Sequence, residues 1–123
     1  MVHKPRVLVV EDEALVAMHV ETILTEAGCE VVGPAASIDQ ALRLCAQELD
    51  AAVLDMNLAG AMSYSVADAL AAAHVPFLWL TGHSPSVLPQ RHRDRPLVAK
   101  PYLASVLLEA LSTTVAAAPA PPV

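Results

Sequence analysis

The sequence predicts a doubly wound α/β fold: one parallel sheet of five strands, in the order 2-1-3-4-5, with helices on both faces. Three observations lead there. The short apolar runs RVLVV, AAVLD, FLWLT and LVA have the length and the β-branched, leucine-rich make-up of buried parallel strands. Segments with apolar residues at helical spacing separate these runs, which is the pattern of a βαβ series. Right-handed crossovers then distribute the helices over both faces of one sheet.

The first strand covers about 6–10. A helix follows over Glu13 to Ala27, with Leu15, Val16, Met18, His19, Ile23, Leu24 and Ala27 at helical spacing, and Gly28 ends it. Glu30 to Gly33 reads as a short second strand, which Pro34 is expected to stop. Ser37 is the expected N-cap of a helix over about 38–48, burying Ile38, Ala41, Leu42 and Cys45. Ala51 to Leu54 is the third strand, Met56 to Met62 a loop containing Gly60, and Ser63 to Ala73 the third helix. Phe77 to Leu80 is the fourth strand. Between His83 and Pro96 stand Pro85, Pro89 and Pro96, so only one or two helical turns fit before Asp94. Leu97 to Ala99 is the fifth strand and Leu103 to about Ala117 the last helix. Five strands and five helices in alternation give a flavodoxin-like (βα)5 arrangement over 1–117. The Ala/Pro tail 118–123 is expected to be disordered.

At 123 residues the chain is expected to be one domain. Apolar residues make up 55%, yet no run is continuous enough to span a bilayer, and no basic leader precedes an apolar core. No membrane association and a cytoplasmic location are the default expectations. The formal net charge of −6 argues against a nucleic-acid footprint. Cys29 and Cys45 fit no metal or redox spacing. Arg91, Arg93 and Arg95 crowd around His92, either as a solvated segment or as a contact patch for an acidic partner. The five histidines lack metal-ligand spacing.

Polar residues stand at the ends of the strand-like runs: Glu11 and Asp12 after the first, Asp55 after the third, Thr81 after the fourth and Lys100 after the fifth. In open parallel sheets these ends share one crevice, at the switch point between the first and third strands. Three carboxylates, a hydroxyl and an ammonium suit one task, which is to hold a divalent cation and a phosphoryl group on a carboxylate. Mg²⁺ takes oxygen ligands in near-octahedral geometry and is commonly held by one or two carboxylates with a phosphate. Glu11, Asp12, Asp55 and the backbone carbonyl of Asn57 are the candidate ligands. Lys100 would supply a point charge and Thr81 a donor to the phosphoryl oxygens. Neighbouring acids would raise one another's pKa, while the cation and Lys100 would favour ionisation. Met56 and His83 are expected to border this site.

In these residues the sequence resembles the receiver domains of two-component response regulators, over about 4–117. The resemblance implies that Asp55 is the phosphoacceptor and that Glu11 and Asp12 bind the metal. It also implies that Asn57 supplies a carbonyl ligand, that Thr81 is the switch hydroxyl and that Lys100 is the site lysine. The peptide before Pro101 is commonly cis in that family. Trp79-Leu80-Thr81-Gly82-His83 resembles the Phe-Ala-Thr-Gly-Tyr signature of single-domain receivers called FAT GUY, which are associated with stress signalling, with Trp, Leu and His at the first, second and fifth positions. Leu97 stands where most receivers carry Phe or Tyr. The implied function is a stand-alone receiver that takes a phosphoryl group from a sensor histidine kinase or histidine phosphotransfer protein with Mg²⁺. It would then signal by protein–protein contact or drain phosphoryl groups, acting as a switch with slow autodephosphorylation and not as a conventional enzyme. Two alternatives compete. A phosphohydrolase of the haloacid-dehalogenase kind would need a second carboxylate where Asn57 stands, and a pseudo-receiver would only bind partners.

Overall fold

A computed structural model describes residues 4–82 and 88–116. Val87 and its neighbours back to His83, and the tail from Ala117 on, lie outside the described residues, and with them the expectations for His83 and the Ala/Pro tail.

The main sheet is built from β1 (Arg6–Val10), β2 (Glu30–Ala35), β3 (Ala51–Asp55), β6 (Phe77–Thr81) and β7 (Leu97–Ala99). Its order is β2-β1-β3-β6-β7 and each pairing is parallel. This is the 2-1-3-4-5 order read from the sequence. The helices are α1 (Ala14–Glu26), α2 (Ile38–Leu44), α3 (Tyr64–Ala72) and α4 (Ala104–Ala116). Alternation along the strands splits the core into two layers. Leu8, Leu54, Phe77 and Trp79 pack with α2 and α3 through Ala41, Val66 and Leu70. Val7, Val9, Val53, Leu78 and Leu80 pack with α1 and α4 through Val20, Leu24, Leu107 and Leu111. No helix among the described residues is long and apolar enough to cross a membrane.

Pro34 does not stop the second strand, which runs on to Ala35. β2 lies at the sheet edge, where a proline without an N–H interrupts no inner ladder. The register shifts between Leu8 and Val10, and Gly33, at φ +96, takes up the irregularity. The extension places the Ala35 carbonyl to accept the Glu11 N–H at 2.9 Å.

α1 turns differently from the expected stripe. Ala17, Val20, Ile23 and Leu24 face the sheet, while Leu15 is 80% and Met18 59% exposed. The helix offers two apolar stripes, and only one can meet the sheet. α2 starts at the expected cap, with Ser37 Oγ accepting the Gln40 N–H and Gln40 Oε1 accepting the Ala36 N–H. It ends at Leu44, short of 48, because Arg6 takes up the segment beyond, donating to the Glu48 carbonyl and to Gln47 Oε1 at 2.9 Å each. Leu42, expected inside, is exposed, and Cys45 is only half-buried.

The expected loop after β3 is a two-stranded hairpin, β4 (Asn57–Leu58) and β5 (Ala61–Met62). Among the described residues, the connector before β7 holds a 3₁₀ turn over Gln90–His92 and no full fifth helix. Side chains tie this turn down. The Arg91 guanidinium makes a two-pronged pair with Asp68 of α3 at 2.8 and 3.0 Å, and His92 Nε2 lies 2.7 Å from the same carboxylate. These partners, Arg91 first, hold the Asp68 carboxyl down at about 2. Trp79 Nε1 donates to the His92 carbonyl, Arg93 Nε to the Leu88 carbonyl, and Arg95 lies 4.5 Å over the Phe77 ring. All three arginines are therefore engaged within the fold.

Candidate functional site

Glu11 follows β1 directly, with its backbone fixed by Ala35. Its side chain is only 2% exposed for the residue as a whole. One carboxylate oxygen accepts the Glu13 N–H at 3.1 Å and the other accepts from Lys100 Nζ at 2.9 Å. Asp55 is the last residue of β3 and is buried. Its Oδ1 accepts the Asn57 N–H at 3.3 Å, and its Oδ2 lies 3.4 Å from Lys100 Nζ. Asp12, at the loop between β1 and α1, accepts the Ala59 N–H at 3.0 Å. The three acids offer ligand oxygens within 4.8 Å of one another. Such an all-oxygen set fits a hard divalent cation and no soft one.

Lys100 follows β7, and its N–H donates to the Thr81 carbonyl at 2.9 Å, so the ends of β6 and β7 are stitched together at the site. The peptide from Lys100 to Pro101 is cis. Thr81 ends β6 and is fully buried. Asp12, Glu13, Asp55, Asn57, Ala59, Gly82 and Lys100 line a cleft of about 370 Å³.

Burial, more than its neighbours, raises the Glu11 carboxyl to about 7; the Lys100 hydrogen bond opposes this, and the Asp55 charge adds to it. The mutual repulsion expected between the acids is thus the smaller cause. Burial disfavours the Lys100 ammonium, but the Glu11 and Asp55 carboxylates outweigh it, and the lysine pKa is raised.

Residues 7–111 match the response regulator receiver domain model. The chain belongs to this family of two-component receiver domains. The receiver is 32% identical over 115 residues to the transcriptional regulatory protein PdtaR of Mycobacterium tuberculosis, a match covering 89% of this chain and 56% of that protein. It therefore spans about half the length of the curated relatives it matches. SdrG of Sphingomonas melonis has a solution structure at 38% identity and TM-score 0.81, covering 94% of this chain and 99% of that one. A BeF3-activated conformation of SdrG matches at TM-score 0.77. The receiver domain of the sensor histidine kinase PA1611 of Pseudomonas aeruginosa has the same fold at 24% identity and TM-score 0.77, covering 94% and 100% of the two chains. That structure has a magnesium ion coordinated in its active site cleft.

Within the receiver, Glu11, Asp12, Asp55 and Lys100 converge as the strand ends required. Thr81 and Pro101 flank them through the β6–β7 stitch. Met56 does not border the cleft. It is fully buried against the α2–α3 layer, because a residue after a strand-end aspartate points to the opposite face. Three contributors were not anticipated. Glu13 stands 3.8 Å from Lys100 Nζ. Ser63, fully buried, donates its hydroxyl to the Asp55 carbonyl and bonds through its N–H to the Met56 carbonyl. Ala59 holds Asp12. The Glu-Asp-Glu run could have signalled the first, but nothing local in the sequence marks the other two.

Proposed function

We propose that this receiver accepts a phosphoryl group on Asp55 from a histidine kinase or histidine phosphotransfer protein, with Mg²⁺ as cofactor, and acts as a switch. The observation that carries this reading is the Lys100 ammonium lying between the Glu11 and Asp55 carboxylates, 2.9 and 3.4 Å away. Glu11, Asp12, Asp55 and the Asn57 carbonyl would hold the Mg²⁺, which neutralises phosphoryl charge when bound. The Asn57 N–H orients one Asp55 oxygen, and the carboxylate attacks phosphorus. A P–O bond forms as the P–N bond to the donor imidazole breaks, and the electron pair leaves with that nitrogen. Lys100 faces the developing charge, and the Thr81 hydroxyl donates a hydrogen bond to a phosphoryl oxygen. Water later cleaves the acyl phosphate and restores the carboxylate. Asn57 offers no second carboxylate for phosphohydrolase chemistry, since its side-chain oxygen accepts the Gly60 N–H at 2.8 Å.

The surface supports a helical docking partner. Leu15, Met18, Leu103 and Val106 are exposed on α1 and at the start of α4. Between α1, through Leu15, Val16 and His19, and the loop from Lys100 to Tyr102 lies a groove of about 680 Å³ that Glu13 and Lys100 connect to the cleft. Exposed apolar side chains beside such a groove suit a contact face.

Acetyl phosphate with Mg²⁺ should add one phosphoryl group, seen by intact mass and removed by hydroxylamine. Asp55→Asn should abolish it, because the amide is no nucleophile. Labelling of Asp55→Asn at the wild-type rate would refute the assignment.

A further inference from the structure

The hairpin after Asp55 turns on Ala59 and Gly60, at φ +52 and +94. Two-residue hairpin turns require this mirror-image geometry, and glycine, asparagine or aspartate normally supply it. Gly60 does so freely. Ala59 carries a Cβ in a conformation that such residues rarely adopt, so something must hold it there. Two hydrogen bonds do. The Asn57 side chain accepts the Gly60 N–H at 2.8 Å and closes the turn on its own base. The Ala59 N–H points across the cleft instead, 3.0 Å from Asp12 Oδ2, bridging 47 positions of sequence. The base of the hairpin is pinned as well, through Ser63 to the backbone of Asp55 and Met56.

Asp12 is the least buried of the three acids and follows the end of a strand. Its carboxylate retains acceptor capacity for a cation after accepting one N–H. Glu11 and Asp55 are oriented by N–H groups of their own loops and by Lys100. For Asp12 the Ala59 N–H fills the corresponding place. We propose that the Asn57–Met62 hairpin is a positioning element for the cation site: the Asn57 side chain holds the turn, and the Ala59 N–H holds the Asp12 carboxylate where a divalent cation needs it. This rests on the reading of the cleft as a Mg²⁺ site. Asn57 thereby acts twice, through its carbonyl as a ligand and through its side chain as the support of another ligand.

The test is Mg²⁺ titration of the metal-free protein by calorimetry, with amide exchange of Ala59 and Gly60 followed by NMR. Asn57→Ala keeps the backbone carbonyl, and it should weaken Mg²⁺ binding about fivefold or more, the worth of roughly one net hydrogen bond. It should also speed exchange at both amides. Adding Ala59→Gly to that variant should restore affinity to within about twofold of wild type, because glycine reaches the turn geometry without a clamp. Failure of that rescue would mean that the Asn57 side chain acts on the cation site other than through the turn, and would overturn the proposal. In the wild type the Ala59 amide should stay protected when Mg²⁺ saturates the site. Faster Ala59 exchange on Mg²⁺ addition would overturn the proposal, since the cation would then be taking the oxygen from the N–H. Wild-type affinity in a folded Asn57→Ala would overturn it while leaving the Mg²⁺ site intact. Absence of Mg²⁺ binding by the wild type would overturn the underlying site as well.

Discussion

Removing the charge of Glu11 should stabilise the metal-free receiver, and by an amount that depends on pH. Glu11 is almost wholly buried, and its carboxyl is raised from 4.5 to about 7, chiefly by that burial. Below about pH 4.5 the group is protonated in both folded and unfolded chains and contributes nothing to pH dependence. As pH rises from there, the unfolded chain releases its proton first. The folded state then binds more protons than the unfolded one, so stability falls with pH until about 7. At 1.36 kcal/mol for each pH unit of displacement, the loss is about 3 kcal/mol.

Glu11→Gln removes the ionisation. The amide oxygen can still accept the Glu13 N–H, but Lys100 loses its 2.9 Å partner. Lys100 keeps its charge throughout this range, so its lost contact is a constant offset and the pH slope isolates Glu11. Urea denaturation of wild type and Glu11→Gln at pH 5, 6, 7 and 8 is the assay. The variant should gain on the wild type as pH rises, by about 2 kcal/mol between the ends of the series, since part of the change lies below pH 5. Mg²⁺ should stabilise the wild type more at pH 8 than at pH 5, because it binds the ionised form. A difference between the two proteins that stays flat across the series would mean that Lys100 keeps Glu11 ionised throughout, and would refute the reasoning.

Two further outcomes follow from the scaffold. A Cβ at Gly33 would lie 2.8 Å from the Ala35 nitrogen and 3.0 Å from the Val9 carbonyl oxygen, at φ +96, so Gly33→Ala should destabilise by roughly 2 kcal/mol or more in urea denaturation. Because Ala35 holds the Glu11 backbone, that variant should also bind Mg²⁺ more weakly in the same calorimetric titration. Asp68→Ala should release Arg91 and His92, speed amide exchange over 88–96 and red-shift the emission of Trp79, the single tryptophan, whose indole N–H bonds to His92. An unchanged spectrum would show that Asp68 does not hold the turn against the sheet.

The main sheet was legible because its three inner strands are buried on both faces and its polar residues stand where the strands end. That pattern carried the convergence of Glu11, Asp12, Asp55 and Lys100, while the alternation of strands and helices carried the doubly wound order. What escaped depends on contacts distant in sequence. Pro34 reads as a strand breaker until β2 is known to be the sheet edge. The end of α2 depends on Arg6, more than thirty residues upstream. In α1, Leu15 and Met18 are as apolar as Ile23 and Leu24, so periodicity alone could not choose the stripe that meets the sheet.

The same distinction separates the acids of the site from what positions them. An acid at the end of a strand announces itself, because carboxylates are rare at the edge of a buried run. Its support does not, because support here comes from backbone N–H groups, which every residue but proline carries. Ala59 illustrates this. Its side chain has no chemistry to recognise, and its part depends on a left-handed φ and a bond to Asp12 across the cleft. Ser63 is similar, since its hydroxyl serves the backbone of Asp55 and not a substrate. Because the residues that present the carboxylates are set by backbone geometry, their substitution should be judged by whether the turn survives, and a glycine at position 59 is expected to be tolerated where a bulkier β-branched residue is not.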